Sequence, residues 1–460
     1  MLVAYAYGHS LGNGCFAALR PAAPLPFLSP EVKSFAKERG MEVNAAEVAQ
    51  PGRWSEIMPG SAFSYRGFQL YWAARLCAAM AIQMQAVAVG WQVYELTQRP
   101  LDLGLVGLAQ FLPALGLALF TGQVADRYDR RRVLALCVVL ELVCALLLLT
   151  LTAVGNANEA PIFGIIFLFG VARAFEFPAA VALLSNLVPP HQFATAAVWN
   201  SSAGQAATII GPAVGGLLYA IGPGVVYGCC ALLFTAAALL VSLVQRQEVA
   251  IVRKAVTWTS LVAGIAFIRA QPVVLGAVSL DLFAVLLGGA TALLPIYARD
   301  ILQVGPWGLG LLRSAPALGA LAMAILLAHK PITSYAGSIL LGTVGMFGIA
   351  TIGFGLSHNL WLSLIMLAIL GAADMVSVVI RRVLVQVSTP DPMRGRVSAV
   401  ESVFIGASNE LGEFESGVTA AWFGAVPAVV LGGVGTLAVV ALWAWLFPQL
   451  RQVDTLDGPG

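Results

Sequence analysis

The sequence predicts an all-α integral membrane protein in which twelve transmembrane helices form two pseudo-symmetric six-helix bundles. Three observations lead to this prediction: an apolar composition, a regular succession of apolar runs and an internal repeat. Of the 460 residues, 59% are hydrophobic and only 10% are charged, whereas an average soluble domain has about 45–50% apolar and about 25% charged residues. So few charges cannot cover a water-exposed surface.

The apolar runs approach the roughly 20 residues that cross a bilayer, and short polar joints separate them. The predicted spans are 67–95, 103–125, 132–154, 161–187, 194–220, 224–245, 273–298, 305–328, 335–356, 360–386, 396–421 and 424–447. We therefore predict one bundle over 65–245 and a second over 273–447, followed by a cytoplasmic tail at 448–460. The cytoplasmic linker at 246–272 contains a candidate amphipathic helix, Trp258 to Arg269, of the kind that lies along a membrane surface.

Residues 1–60 differ from the rest because they are rich in proline and charge. We expect a flexible N-terminal extension. The first twenty residues lack a basic segment ahead of an uninterrupted apolar stretch, so a cleaved signal peptide is not predicted. An alternative interpretation is that translation starts at Met58 and that residues 1–57 are not native.

Lysine and arginine are concentrated in the joints after spans two, six, eight and ten, and such residues are retained on the cytoplasmic side. The other joints contain little positive charge beyond Arg99 and Arg299. We therefore expect a multi-pass protein of the inner or plasma membrane with both termini in the cytoplasm.

The two halves match when one is laid on the other at a constant offset. At an offset of 203, Gly107 meets Gly310 and the run at 113–116 meets the run at 316–319, both Pro-Ala-Leu-Gly. At an offset of 201, Gly216 meets Gly417. Six helices repeated in one orientation indicate two halves related by an axis along the membrane normal.

Several classes of function are disfavoured by the sequence. The net charge of +2 and the lack of a basic run interleaved with aromatics give no indication of nucleic-acid binding. The cysteines lie mostly in apolar segments, the four histidines are scattered, and no nucleotide-binding loop occurs. We expect no catalytic residues, no metal and no cofactor, and we expect a monomer whose partners are the lipid bilayer, a small-molecule substrate and protons.

The strongest local motif runs from Gly122 to Arg132, Gly-Gln-Val-Ala-Asp-Arg-Tyr-Asp-Arg-Arg-Arg. It resembles the cytoplasmic signature of the major facilitator superfamily, although that family usually has glycine where Asp129 stands. The resemblance implies a major facilitator fold and a gating motif in which an acid and arginines lock two helices together. The residues it implies are Gly122, Asp126, Arg127, Arg130 and Arg131. The alternative is a cluster that only fixes membrane orientation.

A second motif, Gly211-Pro212-Ala-Val-Gly215-Gly216, resembles the proline-glycine motif of the antiporter branch of that superfamily. Proline bends the helix and the glycines permit close helix contact. The alternative is plain small-residue packing. The segments 391–400 and 411–417 resemble the enterobactin-exporter-like branch, which implies a proton-coupled exporter.

Charged residues within the predicted spans are costly unless they are paired or face water. In the superfamily, spans one, four, seven and ten line the central cavity. The resemblance therefore implies a substrate and proton pathway through Arg75, Arg173, Glu176, Asp281 and Asp374. The repeat places Arg173 opposite Asp374, so opposite charges are expected to face each other across the cavity.

Asp281 and Asp374 lack an adjacent cation in their own helices, and we interpret them as proton-coupling carboxylates. Glu410 and Glu413 share a face of span eleven and are the next candidates, with helix-packing hydrogen bonds as the alternative. Arg173 and Glu176, three residues apart, also fit a static ion pair. Arg381 and Arg382 are expected to snorkel toward lipid headgroups.

The predicted function is secondary-active export of a small organic molecule, such as a siderophore or a drug, by alternating access and proton antiport. The arginines, including Arg313, suit an anionic solute and the acids suit a cationic one, so the substrate stays open. The alternatives are a non-transporting membrane sensor or receptor and a lipid-moving protein on the same fold. An enzyme is the least favoured interpretation because no nucleophile and base occur at a catalytic spacing.

Overall fold

The computed structural model describes residues 62–155, 159–245 and 258–454. The N-terminal extension, with Met58, therefore lies outside the described residues, as do 246–257 of the linker and 455–460 of the tail. Helices dominate the described residues, as their apolar composition requires, because a helix satisfies its backbone hydrogen bonds internally within lipid.

The first half contains six long helices, α1 to α6, whose bounds lie close to the predicted spans. They are Arg66–Thr97 (α1), Pro100–Arg127 (α2), Arg130–Ala153 (α3), Glu159–Leu187 (α4), Phe193–Ile221 (α5) and Pro223–Leu243 (α6).

A shorter helix, Trp258–Ala270, follows within the linker, and we call it the linker helix. The second half contains Pro272–Leu287 (α7), Gly305–His329 (α8), Ala336–Gly355 (α9), Leu360–Ser388 (α10), Asp391–Phe423 (α11) and Ala425–Leu446 (α12).

Within the described residues, eleven helical segments are long and apolar enough to cross a membrane, and the seventh of them runs from Pro272 to Ile301. The twelfth, α11, is 33 residues long but far more polar. Its charged residues are Asp391, Arg394, Arg396, Glu401, Glu410, Glu413 and Glu415. The predicted all-helical membrane fold is thus confirmed. Helix α11 is too polar to be recognised as a membrane span from its own composition.

The seventh predicted span, 273–298, is not one continuous helix. The α-helix stops at Leu287, and the chain passes Gly288 and Gly289 before short helical turns and a π-helical turn at Tyr297–Ile301. A Cβ at Gly289 would lie 3.0 Å from the Ser416 hydroxyl oxygen and would overlap the backbone of Gly412 in α11. Glycine at 289 therefore lets the chain pass close to the backbone of α11 just after the α-helix stops.

The linker helix does not stand apart from the bundle. Ile268 is 2% exposed and belongs to one apolar cluster with Val274 of α7 and with Val397 and Val400 of α11. A Cβ at Gly264 would lie 2.8 Å from the backbone oxygen of Arg396. The helix is therefore packed onto the start of α11, and its place at a membrane surface stays a prediction, as do the domain boundaries.

Contacts between the two halves follow the internal repeat. Helix α5 packs on α8, and α2 packs on α11. Gly216 faces Gly310, whose Cα atom lies 3.0 Å from where a Gly216 Cβ would stand. Gly417 faces Gly104, with the corresponding separation 2.8 Å. The repeat partners Gly216 and Gly417 therefore lie at two equivalent crossings, where small residues allow backbone contact.

Both crossings lie near the same end of the bundle, which also contains the α1–α2 turn and Gly424. We call this the closed end. The opposite end contains the joint between α2 and α3 with its arginines.

The proline-glycine motif in α5 contacts two helices, α1 in its own half and α8 in the other half. A Cβ at Gly215 would lie 2.8 Å from the Cα of Met84 in α1, and one at Gly211 would lie 2.6 Å from the Gln83 Cβ. Pro212 is inside the helix and its backbone oxygen contacts Gly310 of α8. The motif thus lies between α1 and α8, at the contact of one half with the other.

Candidate transport pathway

A charged cluster in the first half links α1 to α4. The Arg75 guanidinium forms an ion pair with the Glu176 carboxylate, and Arg173 Nη1 lies 3.3 Å from Glu176 Oε2. The Glu176 side chain is 2% exposed, whereas that of Arg173 is 39% exposed. Three of the predicted pathway residues are therefore in contact, and a buried carboxylate is shared by two cations.

A second charged cluster lies in the other half. In the first cluster the cation Arg75 is on α1 and the acid Glu176 is on α4, and in the second cluster the signs on the equivalent helices are reversed. In it the acid, Asp281, is on α7 and its cation, Arg381, is on α10. Arg381 also lies 3.5 Å, Nε to Oε1, from Glu401 of α11. The prediction that Arg381 snorkels to lipid is wrong, because only 2% of the residue is exposed. Its two carboxylate partners, from α7 and α11, hold it inside the bundle.

Asp374 differs from Asp281 although both line one cavity between α7, α9 and α10. In the described part of the chain, no cation lies within 4.0 Å of the Asp374 carboxylate. Nor does an ion pair join it to Arg173, which contacts Glu176 instead. The cavity belongs to the second bundle, with Val344 and Phe347 on its wall, and Asp374 is its unpaired acid.

A third cluster joins the two halves. Glu410 and Glu413 of α11 interact electrostatically with Arg313 of α8, and Glu410 also interacts with Arg173 of α4. Thr291 Oγ1 donates a hydrogen bond to Glu413 Oε1 at 3.4 Å. We call Glu410, Glu413, Arg313 and Arg173 the central cluster.

The central cluster depends on close contacts across the halves. Arg313 Nη1 donates to the backbone oxygen of Ala86 in α1 at 3.3 Å. A Cβ at Gly107 in α2 would lie 2.9 Å from Glu413 Oε2. Glycine at 107 thus leaves room for this carboxylate, and the repeat partner Gly310 leaves room for the backbone of Pro212.

Hydrogen bonds from tyrosine hydroxyls stabilise the closed end. The Tyr94 hydroxyl of α1 donates to the Asp300 carboxylate in the π-helical turn at Tyr297–Ile301. Arg299 Nη1 donates to the Tyr94 backbone oxygen at 3.3 Å, and its guanidinium lies 5.8 Å from the centre of the Tyr94 ring. These contacts join the two halves. Tyr219 of α5 donates to Glu95 Oε2 at 3.1 Å within the first half.

Replacing Tyr94 with Phe is expected to loosen the closed end, because it removes the donor to Asp300 and leaves the aromatic packing. A lost bond to a charged group costs about 1.5–3 kcal/mol. Hydrogen–deuterium exchange should therefore rise in the segments 94–99 and 297–304. Tyr227→Phe is the matched control, since Tyr227 donates to Gln92 Oε1 within the first half at 2.6 Å. Equal exchange at the closed end in both variants would show that the hydroxyl does not hold it.

The motif after α2 is only partly described. For Gly122, Asp126 and Arg127, the helical backbone is described but the side-chain placements lie outside the described part. Arg130 Nη1 donates to Asn186 Oδ1 of α4 at 3.0 Å, and Arg131 donates to the backbone oxygen of Ser242 in α6. These two arginines therefore tie α3 to α4 and α6.

Asp129 stands where the family usually has glycine, and the structure gives it a local role. Its side chain accepts a hydrogen bond from the Arg131 backbone N–H at 3.1 Å, so it caps the N-terminus of α3. Its φ of −59° is one that any residue adopts. An acidic N-cap stabilises a helix, and this turn needs no glycine.

The sequence prediction assigned Arg381 to lipid and gave Glu401 and Glu141 no role. Each was visible as a charge inside an apolar span, which is the available signal. Their partners lie on other helices, so spacing along the chain could not reveal them.

A charged cluster in each half of a bundle of membrane helices, with a third cluster between the halves, is the arrangement of a membrane transporter. The chain belongs to the major facilitator superfamily. It matches the family model described as a transmembrane secretion effector over residues 58–458.

Relatives by sequence have related names. The chain is 28% identical over 360 residues to the uncharacterized MFS-type transporter YfiS of Bacillus subtilis, which covers 74% of this chain and 83% of the relative. It is 27% identical over 399 residues to the enterobactin exporter EntS of Escherichia coli O1:K1, which covers 85% of this chain and 94% of the relative.

Solved structures show the same fold. A bacterial homologue of the human lysosomal transporter Spinster, in an inward-facing and unoccupied conformation, superposes with a TM-score of 0.64 at 14% identity. That match covers 84% of this chain and 96% of the homologue. A bacterial homologue of the iron transporter ferroportin, in its inward-facing state, gives a TM-score of 0.61 at 17% identity, covering 84% and 99%.

Proposed function

We propose that this transporter is a proton-coupled exporter that moves a small organic molecule by alternating access. The observation that carries the proposal is the central cluster, in which Arg173 of one half interacts with Glu410 of the other. Charges shared between two halves change partners when the halves separate. Such groups couple ion binding to the movement of a transporter at the bilayer midplane.

Asp374 is the first candidate for the proton site. It has no cation within 4.0 Å among the described residues, so its charge is not held by an ion pair. Asp281 shares its cavity but is paired with Arg381. Proton binding at Asp374 therefore costs no ion pair, whereas proton binding at Asp281 releases a buried arginine.

The energy of an inward proton is sufficient for export. A proton that crosses a potential of 100 mV releases about 2.3 kcal/mol, and each pH unit adds about 1.4 kcal/mol. At one proton per solute, these terms support a solute gradient of several hundredfold.

The name of the enterobactin exporter relatives supports a siderophore as one substrate, and the exposed Arg173 offers a cationic contact for it. The paired acids Glu410 and Glu413 suit a cationic drug equally well. We place the protein in the inner or plasma membrane as a monomer with both termini in the cytoplasm. In the proposed orientation the closed end faces away from the cytoplasm.

Replacing Asp374 with Asn is expected to abolish proton-driven uptake into everted membrane vesicles, because Asn cannot carry a proton. Acridine-dye quenching reports the proton gradient, and addition of enterobactin or ethidium should collapse part of it in the unaltered protein. Asp391→Asn is the matched control, since that carboxylate is 82% exposed at the start of α11.

Unchanged solute-driven proton release in Asp374→Asn would contradict its role as the proton site. Binding of a solute without any counterflow in proteoliposomes would indicate a sensor instead of a carrier. Movement of a fluorescent phospholipid between leaflets, in place of solute uptake, would indicate a lipid-moving protein.

A further inference from the structure

Glu141 is a buried acid that the proposed pathway does not yet use. It lies in the middle of α3 and is 0% exposed. Among the described residues, neither of its carboxylate oxygens accepts a hydrogen bond, and no arginine or lysine nitrogen lies within 4.0 Å. The Glu141 and Glu176 carboxyl groups are close enough to share a hydrogen bond, which requires a proton on one of them. Glu176 is already paired with Arg75 and Arg173. Burial without a cation therefore favours the proton on Glu141.

The surroundings of Glu141 are charged nonetheless. Glu176, Arg173 and Arg75 are all within electrostatic reach of it. Two thiols of its own helix, Cys137 and Cys144, also interact electrostatically with it.

Charge balance connects Glu141 to the central cluster. One carboxylate, Glu176, serves both Arg75 and Arg173, so this group has one positive charge in excess while Glu141 is protonated. Arg173 is its most exposed member and also interacts with Glu410 of the other half. Ionised Glu141 would supply the missing negative charge inside the first half. Arg173 would then have two acids competing for it, one in each half.

We propose that Glu141 is a proton site of the first half, and that loss of its proton draws Arg173 from Glu410 toward α3. The O–H bond of Glu141 breaks, the proton passes along the hydrogen bond to Glu176 and from there to water beside the partly exposed Arg173, and the Arg173 guanidinium becomes the counter-charge of the new Glu141 carboxylate. Whether Glu141 carries a proton thereby determines which acid balances Arg173, Glu141 in the first half or Glu410 in the second. This step rests on the proposed proton coupling, but the proton on Glu141 can be measured without any substrate.

The first test is infrared spectroscopy of the purified protein in proteoliposomes, as a function of pH. A buried protonated carboxyl group gives a carbonyl band that is separate from carboxylate and amide bands. We expect that band to decrease as pH rises in the unaltered protein and to be lost in Glu141→Gln. The Gln side chain copies the neutral form, so the variant should unfold at the same temperature. Glu141→Asp should restore the band.

Glu415→Gln is the matched control, since Glu415 also lies in a membrane helix but accepts a hydrogen bond from Thr419 Oγ1 at 2.7 Å. It should leave the Glu141 band unchanged. The second test is modification by dicyclohexylcarbodiimide, which attacks protonated carboxyl groups in apolar surroundings. Mass spectrometry should find the label at Glu141, with less label at high pH.

A band that Glu141→Gln leaves intact, or a Glu141 without label, would overturn the proposal. A Glu141 band that stays constant over the whole pH range in which the protein is folded would overturn it too, since the proton would not be released. If band and label behave as expected while no solute drives proton release, the proposed export function fails and the proton site stands. If proton-driven export occurs but Glu141 carries no proton, the proposed export function stands and the proposed proton site fails.

Discussion

Replacing Arg381 with Met is expected to cause a severe loss of stability. The substitution leaves Asp281 and Glu401 buried without their common cation. Removing one partner of a buried ion pair costs about 3–5 kcal/mol. The midpoint of thermal unfolding in detergent should fall sharply, and the yield of monodisperse protein should fall with it.

The neighbouring residue supplies the control for this prediction. Arg382 is exposed, so Arg382→Met removes the same charge from the same turn of α10 without breaking a buried pair. The combination of Arg381→Met with Asp281→Asn and Glu401→Gln should regain most of the stability, because no unpaired charge then remains. Equal midpoints for Arg381→Met and Arg382→Met would contradict the buried network.

The second large effect is expected from a single methyl group at Gly216. Its Cβ would overlap the backbone oxygen of Pro306 and lie 3.0 Å from the Gly310 Cα. Backbone atoms cannot rotate away, so α5 and α8 must separate. Overpacking of this kind costs about 1–3 kcal/mol, which changes the population of the closed arrangement by roughly tenfold per 1.4 kcal/mol.

Gly204→Ala is the control for Gly216→Ala because it lies in the same helix and its Cβ would meet nothing within 4 Å. Hydrogen–deuterium exchange in the segment 305–310 should rise in Gly216→Ala alone, and solute-driven proton release should fall. Gly417→Ala, at the repeat-related crossing of α11 with α2, should have the same effect. If Gly204→Ala and Gly216→Ala behave alike, close packing at this crossing does not hold the end shut.

The fold was accessible from the sequence because a bilayer constrains both length and composition. The ends of α1, for example, fall at Arg66 and Thr97, against a prediction of 67–95. The repeat also translated directly into structure, since Gly216 and Gly417 lie at equivalent crossings. The break after Leu287 was missed because hydropathy does not distinguish one helix from two short ones in line.

The candidate pathway was less accessible, because its contacts join helices that are far apart in sequence. The pair Arg173 and Glu176 was predicted from its spacing of three residues and is present. The partner of Asp281 is Arg381, 100 residues further on. Arg381 was assigned to lipid because it lies near the predicted cytoplasmic end of span ten. A charge in an apolar helix signals that a partner or water is required, but its identity depends on tertiary packing.

The acidic character of α11 has a consequence for how the chain enters the bilayer. Translocon scales assign a charged residue near a helix centre a cost of about 2.5–3.5 kcal/mol, and α11 contains four glutamates between 401 and 415. This helix alone therefore lacks the apolarity to leave the protein-conducting channel for lipid. We therefore expect its insertion to depend on helices that are synthesised earlier. Two of these, α10 and α8, supply Arg381 and Arg313 as counter-charges for its glutamates. We thus expect the second bundle to assemble in a fixed order, in which the glutamates of α11 come close to the arginines of α8 and α10 before this helix contacts lipid.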